Sequence, residues 1–203
     1  WLLEDNCVKE GIHQIQRGIG VRTISGTQTG FAFSNDMTLE TIEQCARHAR
    51  AIVSSGTTRQ INLSKNPGTT TFYSDDSPIT SLQDDEKLGL IKNLNTRIRK
   101  ADPRVKDVKI NLSGQHSSIL VAHSIEGIFK DSRPLVRLNV TVVVESDGRK
   151  ETASYGGGAR STYDVFSQDN FAETIADEAL RQASVALDSR NTPAGEMTVV
   201  LGA

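Results

Sequence analysis

Apolar positions in the first 34 residues come in short β-branched runs cut by glycine. Gly11, Gly18, Gly20, Gly26 and Gly30 punctuate stretches such as Ile19-Gly20-Val21-Arg22-Thr23-Ile24, and Ser25-Gly26-Thr27-Gln28 reads as a turn into Gly30-Phe31-Ala32-Phe33. That spacing predicts a twisted antiparallel meander. The period changes at Thr38, where Leu39, Ile42, Ala46, Ala49 and Val53 fall three or four apart. This is one face of a helix, capped by Asp36 or Thr38 and stopped by Gly56, with Cys45 beside the stripe. Residues 57 to 80 carry Pro67-Gly68 and Asp75-Asp76-Ser77-Pro78 without sustained periodicity, and read as a long connection. A second helix is expected from a Ser81 cap in the spacing Ser81-x-x-Asp84, with Leu88, Ile91, Leu94 and Ile98 on one side and Asp102-Pro103 as its stop.

Residues 105 to 158 form the clearest β region. Val108, Ile110 and Leu112, then Ile119, Val121 and Ile125, then Val136 to Val144 at every second position alternate with mostly polar neighbours. Asp147-Gly148 is a two-residue hairpin signal joining the last of these runs to Arg149–Tyr155. A third helix is predicted over 169–188, with Phe171, Ile175, Ala179, Leu180, Ala183 and Leu187 inward, and Pro193-Ala194-Gly195 returns the chain to a final strand. Strands grouped with strands and helices set in blocks give an α+β fold, a twisted antiparallel β-sheet with about three α-helices packed on it. The chain opens on Trp1-Leu2-Leu3 without an initiator Met and stops as the last apolar run finishes, so residues 1–203 are expected to be one domain of a larger protein, truncated at both ends.

Composition changes this picture little. With 36% hydrophobic and 24% charged residues in 203 positions, the chain has ordinary globular usage, enough for one domain with a core or two small ones. Counting 23 Lys+Arg against 25 Asp+Glu gives a net charge of −2, which argues against a strongly basic nucleic-acid binder. No apolar run approaches the roughly 20 residues of a membrane-spanning helix. Cys7 and Cys45 stand far apart, outside any metal-knuckle spacing, and read as two buried thiols of a reducing compartment.

Candidate chemistry is sparse. Gly18-x-Gly20 lacks the third glycine and the following helix of a dinucleotide fingerprint. His13, His48, His116 and His123 are scattered outside any zinc-binding spacing; His48 fits a solvated helix face and His123 a satisfied core group. No serine sits in a nucleophile elbow. The basic run Arg97, Arg99, Lys100, Arg104 and Lys106 complements the C-terminal end of the second helix, and Asp84-Asp85-Glu86 mirrors it at the start. Gly156-Gly157-Gly158 with Arg160 is more informative: a glycine run ending a long hairpin reads either as a flexible turn or as bare backbone donors and acceptors beside a fixed positive charge.

Several stretches together resemble the TldD/PmbA family, once described as modulators of DNA gyrase and understood as subunits of a cytoplasmic metallopeptidase. They are Leu3-Glu4-Asp5 with Val8-Lys9-Glu10-Gly11, Gly18–Arg22 with Ser25-Gly26 and Gly30-Phe31-Ala32, Arg133–Leu138 continuing to Glu145, Gly156–Arg160, and Pro193–Met197 through Leu201-Gly202. Their order looks more like the TldD branch than its TldE partner. The resemblance implies a zinc ion held by a helical His-Glu-x-x-x-His motif in a later, β-rich, metal-bearing domain. That motif is not in this sequence. No catalytic or metal residue is therefore assigned, zinc is expected in the full-length protein and not on this chain, and this portion alone is expected to be inactive. Its implied role is to help build a chamber, with a TldE/PmbA-like subunit or a second copy, that admits flexible peptides as an added strand. Gly156, Gly157, Gly158 and Arg160 are the expected substrate- or interface-facing residues. The alternatives are a non-catalytic TldE/PmbA-like subunit and a gyrase-binding module.

Overall fold

The structure, a computed structural model, describes residues 1–53, 72–191 and 193–202. The expected stop at Gly56 and most of the 57–80 connection fall outside the described residues. The chain divides into two compact units, one of Trp1–Gly11, Asn66–Val121 and Ile128–Ala203, the other of Ile12–Lys65 and Ala122–Gly127.

The larger unit is built on a five-stranded sheet in the order β2-β1-β5-β6-β7. Its strands are β1 (Leu2–Glu4), β2 (Cys7–Glu10), β5 (Val105–His123), β6 (Gly127–Ser146) and β7 (Arg149–Ala159). β1 runs antiparallel to both β2 and β5, and β6 antiparallel to β7. Asp147 and Gly148 both take positive φ, 51° and 79°, the backbone of the tight turn that matches the right-handed twist of the flanking strands. The sheet buries one face. Val108, Ile110, Leu112, Val136, Leu138, Val140, Val142 and Val144 are fully enclosed there at every second position.

Three helices belong to this unit: α2 (Pro78–Ser81), α3 (Asp84–Ala101) and α4 (Phe171–Asp188), with a 3-10 turn at Tyr163–Ser167. α3 contributes Ile91, Leu94 and Ile98 to the core, and α4 contributes Ala172, Ile175, Ala176, Ala179, Ala183 and Leu187. Small residues on α4 let its backbone come close to the sheet, and it lies chiefly over β7. Each fully buried Ile or Leu here is worth about 1.5–3 kcal/mol of transfer free energy. The start of α3 differs from the Ser81 expectation. Pro78, whose missing N–H suits a first helical position, opens the one-turn α2, and Gln83 caps α3 with its N–H donating to the Glu86 carboxylate at 2.8 Å.

The smaller unit holds a hairpin of β3 (Ile19–Ser25) and β4 (Gln28–Ser34) with α1 (Leu39–Ile52) across one face. The predicted meander is thus two separate hairpins, β1–β2 and β3–β4, and residues 11–18 between them form no strand. Thr38 is the cap of α1, its hydroxyl accepting from the Thr41 N–H at 3.3 Å. Asp36 braces the turn: hydrogen bonds from the Thr41 hydroxyl first, and then from the Thr38 N–H, hold its carboxyl below the usual range. The buried face of α1 is centred on Cys45, Ala49 and Val53, while Leu39 and Ala46 are exposed, a rotation of the expected stripe. The reason is Gly30. A Cβ there would run into the carbonyl oxygen of Ala49, so the helix backbone rests directly on the strand and the residues flanking that contact set the face.

Other expectations are corrected by the structure. Cys45 is buried but Cys7 is exposed, because it lies on edge strand β2, which has only β1 beside it among the described strands. His123 lies at the open end of β5, where its Nδ1 accepts from the Glu126 N–H at 3.1 Å, so it is satisfied by a turn and not by a core. Ile125 is exposed in that same turn. Residues 193–202 form no strand, and Val199, Val200 and Leu201 stand in solvent: an apolar run becomes a strand only where a ladder partner accepts its backbone bonds, and no described residue does so.

Candidate functional site

The glycine run lies within β7, in register with β6: Gly156 is opposite Asn139, Gly157 opposite Leu138 and Gly158 opposite Arg137. Strand alternation divides the three. Gly157 faces α4, where an added Cβ would stand 2.8 Å from the Phe171 ring and 2.9 Å from Ile175 Cδ1. Gly156 and Gly158 face the opposite side, where an added Cβ would strike the side-chain oxygen of Asn139 or the carbonyl of Val136. Glycine is therefore demanded on both faces by close approach of neighbours.

β7 is the outermost strand of the sheet, with β6 as its only neighbour in the strand order of the described residues. Among the described residues its far side has no ladder partner, and its backbone N–H and C=O groups there are of the kind an extended peptide can pair with. Arg160 follows directly after this strand. It is exposed, its guanidinium stands 5.7 Å from the centre of the Tyr73 ring, and no described carboxylate lies within ion-pair distance. Beside it on β6, Arg137 donates from Nε to Asn139 Oδ1 at 3.0 Å. These two residues, at outward positions of β6 opposite Gly158 and Gly156, were not singled out in the sequence. The signal was present in the alternation, since Val136, Leu138 and Val140 inward put Arg137 and Asn139 outward.

The other charged clusters are structural. Arg97 of α3 makes a two-pronged bond to Asp177 of α4 at 2.8 and 2.7 Å. Arg104 binds Asp102 through Nε and Nη2 at 3.1 and 2.8 Å, and reaches Asp188 at 3.0 Å. The Arg104 guanidinium holds the Asp102 carboxyl below its usual range, as Arg97 does for Asp177. Lys87, which the sequence reading passed over, is buried. Its Nζ donates to the Ile79 carbonyl at 2.9 Å and to Asp84 at 3.2 Å, and lies 5.4 Å from the centre of the Tyr163 ring. Three residues of the basic run at the end of α3, Arg97, Arg99 and Arg104, are thus paired with carboxylates.

Among the described residues no three His, Cys, Asp or Glu side chains converge as a metal-holding set. A zinc centre does not fit these residues. Nor is any described helix long and apolar enough to cross a membrane.

Residues 77–187 match the model of the PmbA/TldA metallopeptidase central domain, and residues 1–53 match that of PmbA/TldA metallopeptidase domain 1. The chain belongs to the PmbA/TldD family. Within it, the chain is 35% identical over 208 residues to a metalloprotease TldD homolog of Buchnera aphidicola from Schizaphis graminum, and 37% identical over 211 residues to one of Haemophilus influenzae. Each alignment takes in all of this chain and 43% of the relative. The PmbA/TldD fold is also seen in solved structures. A candidate modulator of DNA gyrase from Thermotoga maritima superposes with a TM-score of 0.68 at 17% identity, over 96% of this chain and 43% of that one. A similar protein from Bacteroides thetaiotaomicron gives 0.69 at 13%, over 94% and 44%. TldE from Thermococcus kodakarensis gives 0.63 at 12%, over 90% and 41%.

Proposed function

We propose that this chain is the N-terminal part of a TldD-type metallopeptidase subunit, and that it forms part of the wall of a chamber which admits flexible peptides to a metal centre held by other residues. The observation that carries this reading is 34–37% identity along the whole chain to proteins named as metalloprotease TldD homologs. The same identity favours the TldD branch over a non-catalytic TldE-type subunit, because likeness to the solved TldE is one of fold. The open side of β7 suits a peptide taken up as an added strand, a mode that reads backbone and tolerates varied sequence. Gly156, Gly157, Gly158 and Arg160 would line that path or the contact with a TldE/PmbA-like subunit or a second copy.

The test compares the complete protein, with its partner subunit where one exists, against this chain. Peptide hydrolysis that a chelator abolishes is expected of the complete protein, and neither hydrolysis nor stoichiometric metal of the chain. Hydrolysis or tight metal binding by the chain itself overturns the proposal. Arg160→Ala in the complete protein is expected to slow peptide cleavage or weaken assembly; if both are unchanged, Arg160 leaves the proposed path.

A further inference from the structure

Most arginines of this chain whose surroundings are described end on a carboxylate: Arg47, Arg97, Arg99, Arg104, Arg133, Arg149 and Arg181 all do. Arg137 ends on an amide. Its Nε is held by Asn139 Oδ1 at 3.0 Å, which fixes the guanidinium without neutralising it, and no described carboxylate lies within ion-pair distance. The charge is thus oriented and uncompensated, on the outward face of β6 directly opposite Gly158. Arg160, equally without a described carboxylate, adds a second positive charge just past the end of β7.

The glycines give this charge a reach. A strand added to the open side of β7 would stand two strand spacings from β6, roughly 9–10 Å. An extended arginine and a glutamate side chain together span roughly that distance. Gly156 and Gly158 lie between them on the same face; the Asn139 side chain reaches over Gly156, while Gly158 meets only the β6 backbone and leaves the crossing clear. A residue of the added strand that points outward can therefore meet the Arg137 fork across Gly158, where a carboxylate matches two parallel N–H donors.

We infer that the peptide paired with β7 is recognised by an acidic side chain, glutamate fitting best, placed opposite Gly156 and Gly158 and bound by Arg137, with Arg160 adding to the local field. This rests on the peptide-admitting role proposed above, and it narrows the substrate class to extended segments with an acidic residue at one outward position.

The experiment uses a fluorescently labelled, C-terminally amidated, strand-forming peptide with one central glutamate and its glutamine twin, titrated against the chain at low ionic strength and followed by anisotropy. The glutamate peptide is expected to bind about tenfold more tightly. In Arg137→Gln, checked for an unchanged unfolding curve, the two should come within twofold of each other, and Arg160→Gln should reduce the ratio less. Equal binding of both peptides by the wild type overturns the acidic recognition and leaves the peptide reading standing. Failure of both peptides to bind overturns the two together. A preference for glutamate that survives in Arg137→Gln refutes the assignment of the residue.

Discussion

Gly157→Ala tests whether the glycine run is a packing requirement at its centre. The new methyl would sit 2.8 Å from Phe171 Cζ and 2.9 Å from Ile175 Cδ1, against about 3.5–4.0 Å for an unstrained carbon pair. Two overlaps of roughly 0.6–1.2 Å must be relieved by lifting α4 from β7 or by forcing core side chains off their rotamers. Overpacking of this kind costs about 1–3 kcal/mol, and the stiffer unfolded chain returns about 0.4–1 kcal/mol. A net loss of about 0.5–2 kcal/mol is expected, read as a lower urea midpoint at constant slope. Ile175→Val removes one of the colliding methyls. It should cost about 0.5–1.5 kcal/mol alone and clearly less in the Gly157→Ala background, a favourable coupling in the double-mutant cycle. If Gly157→Ala is as stable as wild type and the two changes simply add, the contact between β7 and α4 is not as tight as described and the reasoning fails.

The remaining predictions concern the hairpin unit and acid stability. Gly30→Ala drives a methyl into the Ala49 carbonyl, backbone that cannot rotate away, so the loss should lie near about 2–3 kcal/mol; amide hydrogen exchange within α1 should speed up, and unchanged protection would refute the contact. Asp102 has its folded pKa pushed down, chiefly by the Arg104 hydrogen bonds, so its contribution to stability is complete above the ordinary carboxylate pKa of about 4 and fades as pH falls through the lowered value. Asp102→Asn should therefore be less stable than wild type at pH 7, with the difference in urea midpoints shrinking over the acid range below about pH 4. A difference that stays constant over that range sinks the assignment. Asp177, bound by Arg97, adds to the same acid limb with the same sign.

Much of the larger unit was legible because alternation and turn chemistry act locally. Val136 to Val144 named a strand with one buried face, and Asp147-Gly148 named its turn, without knowledge of any neighbour. What failed was decided by partners. Residues 197–201 have the pattern of a strand but no described ladder. Cys7 is of a residue type that is usually buried but holds an edge position. Ser81 looked like a cap because its spacing to Asp84 is correct, yet Pro78 had already started a separate turn. The glycines show the same limit. Their presence was plain, but one of them faces a helix and two face the open side, and only the pairing of β6 with β7 reveals which. Arg137 could have been placed outward by counting from Val136, whereas its neutral anchor at Asn139 required the fold.

That pairing has its origin far from where it matters. Gly157 lies nine positions, about 30 Å of extended chain, beyond Gly148, yet the length of the loop at one end of the ribbon dictates which way each residue points at the other. Inserting or deleting a single residue beside Asp147 would turn β7 over: Gly157 would exchange sides with its neighbours, Tyr155 would leave its side of the sheet, and the bare strip facing Arg137 would vanish with no change to any residue in it. A distant loop thus acts as the address label of the proposed binding edge.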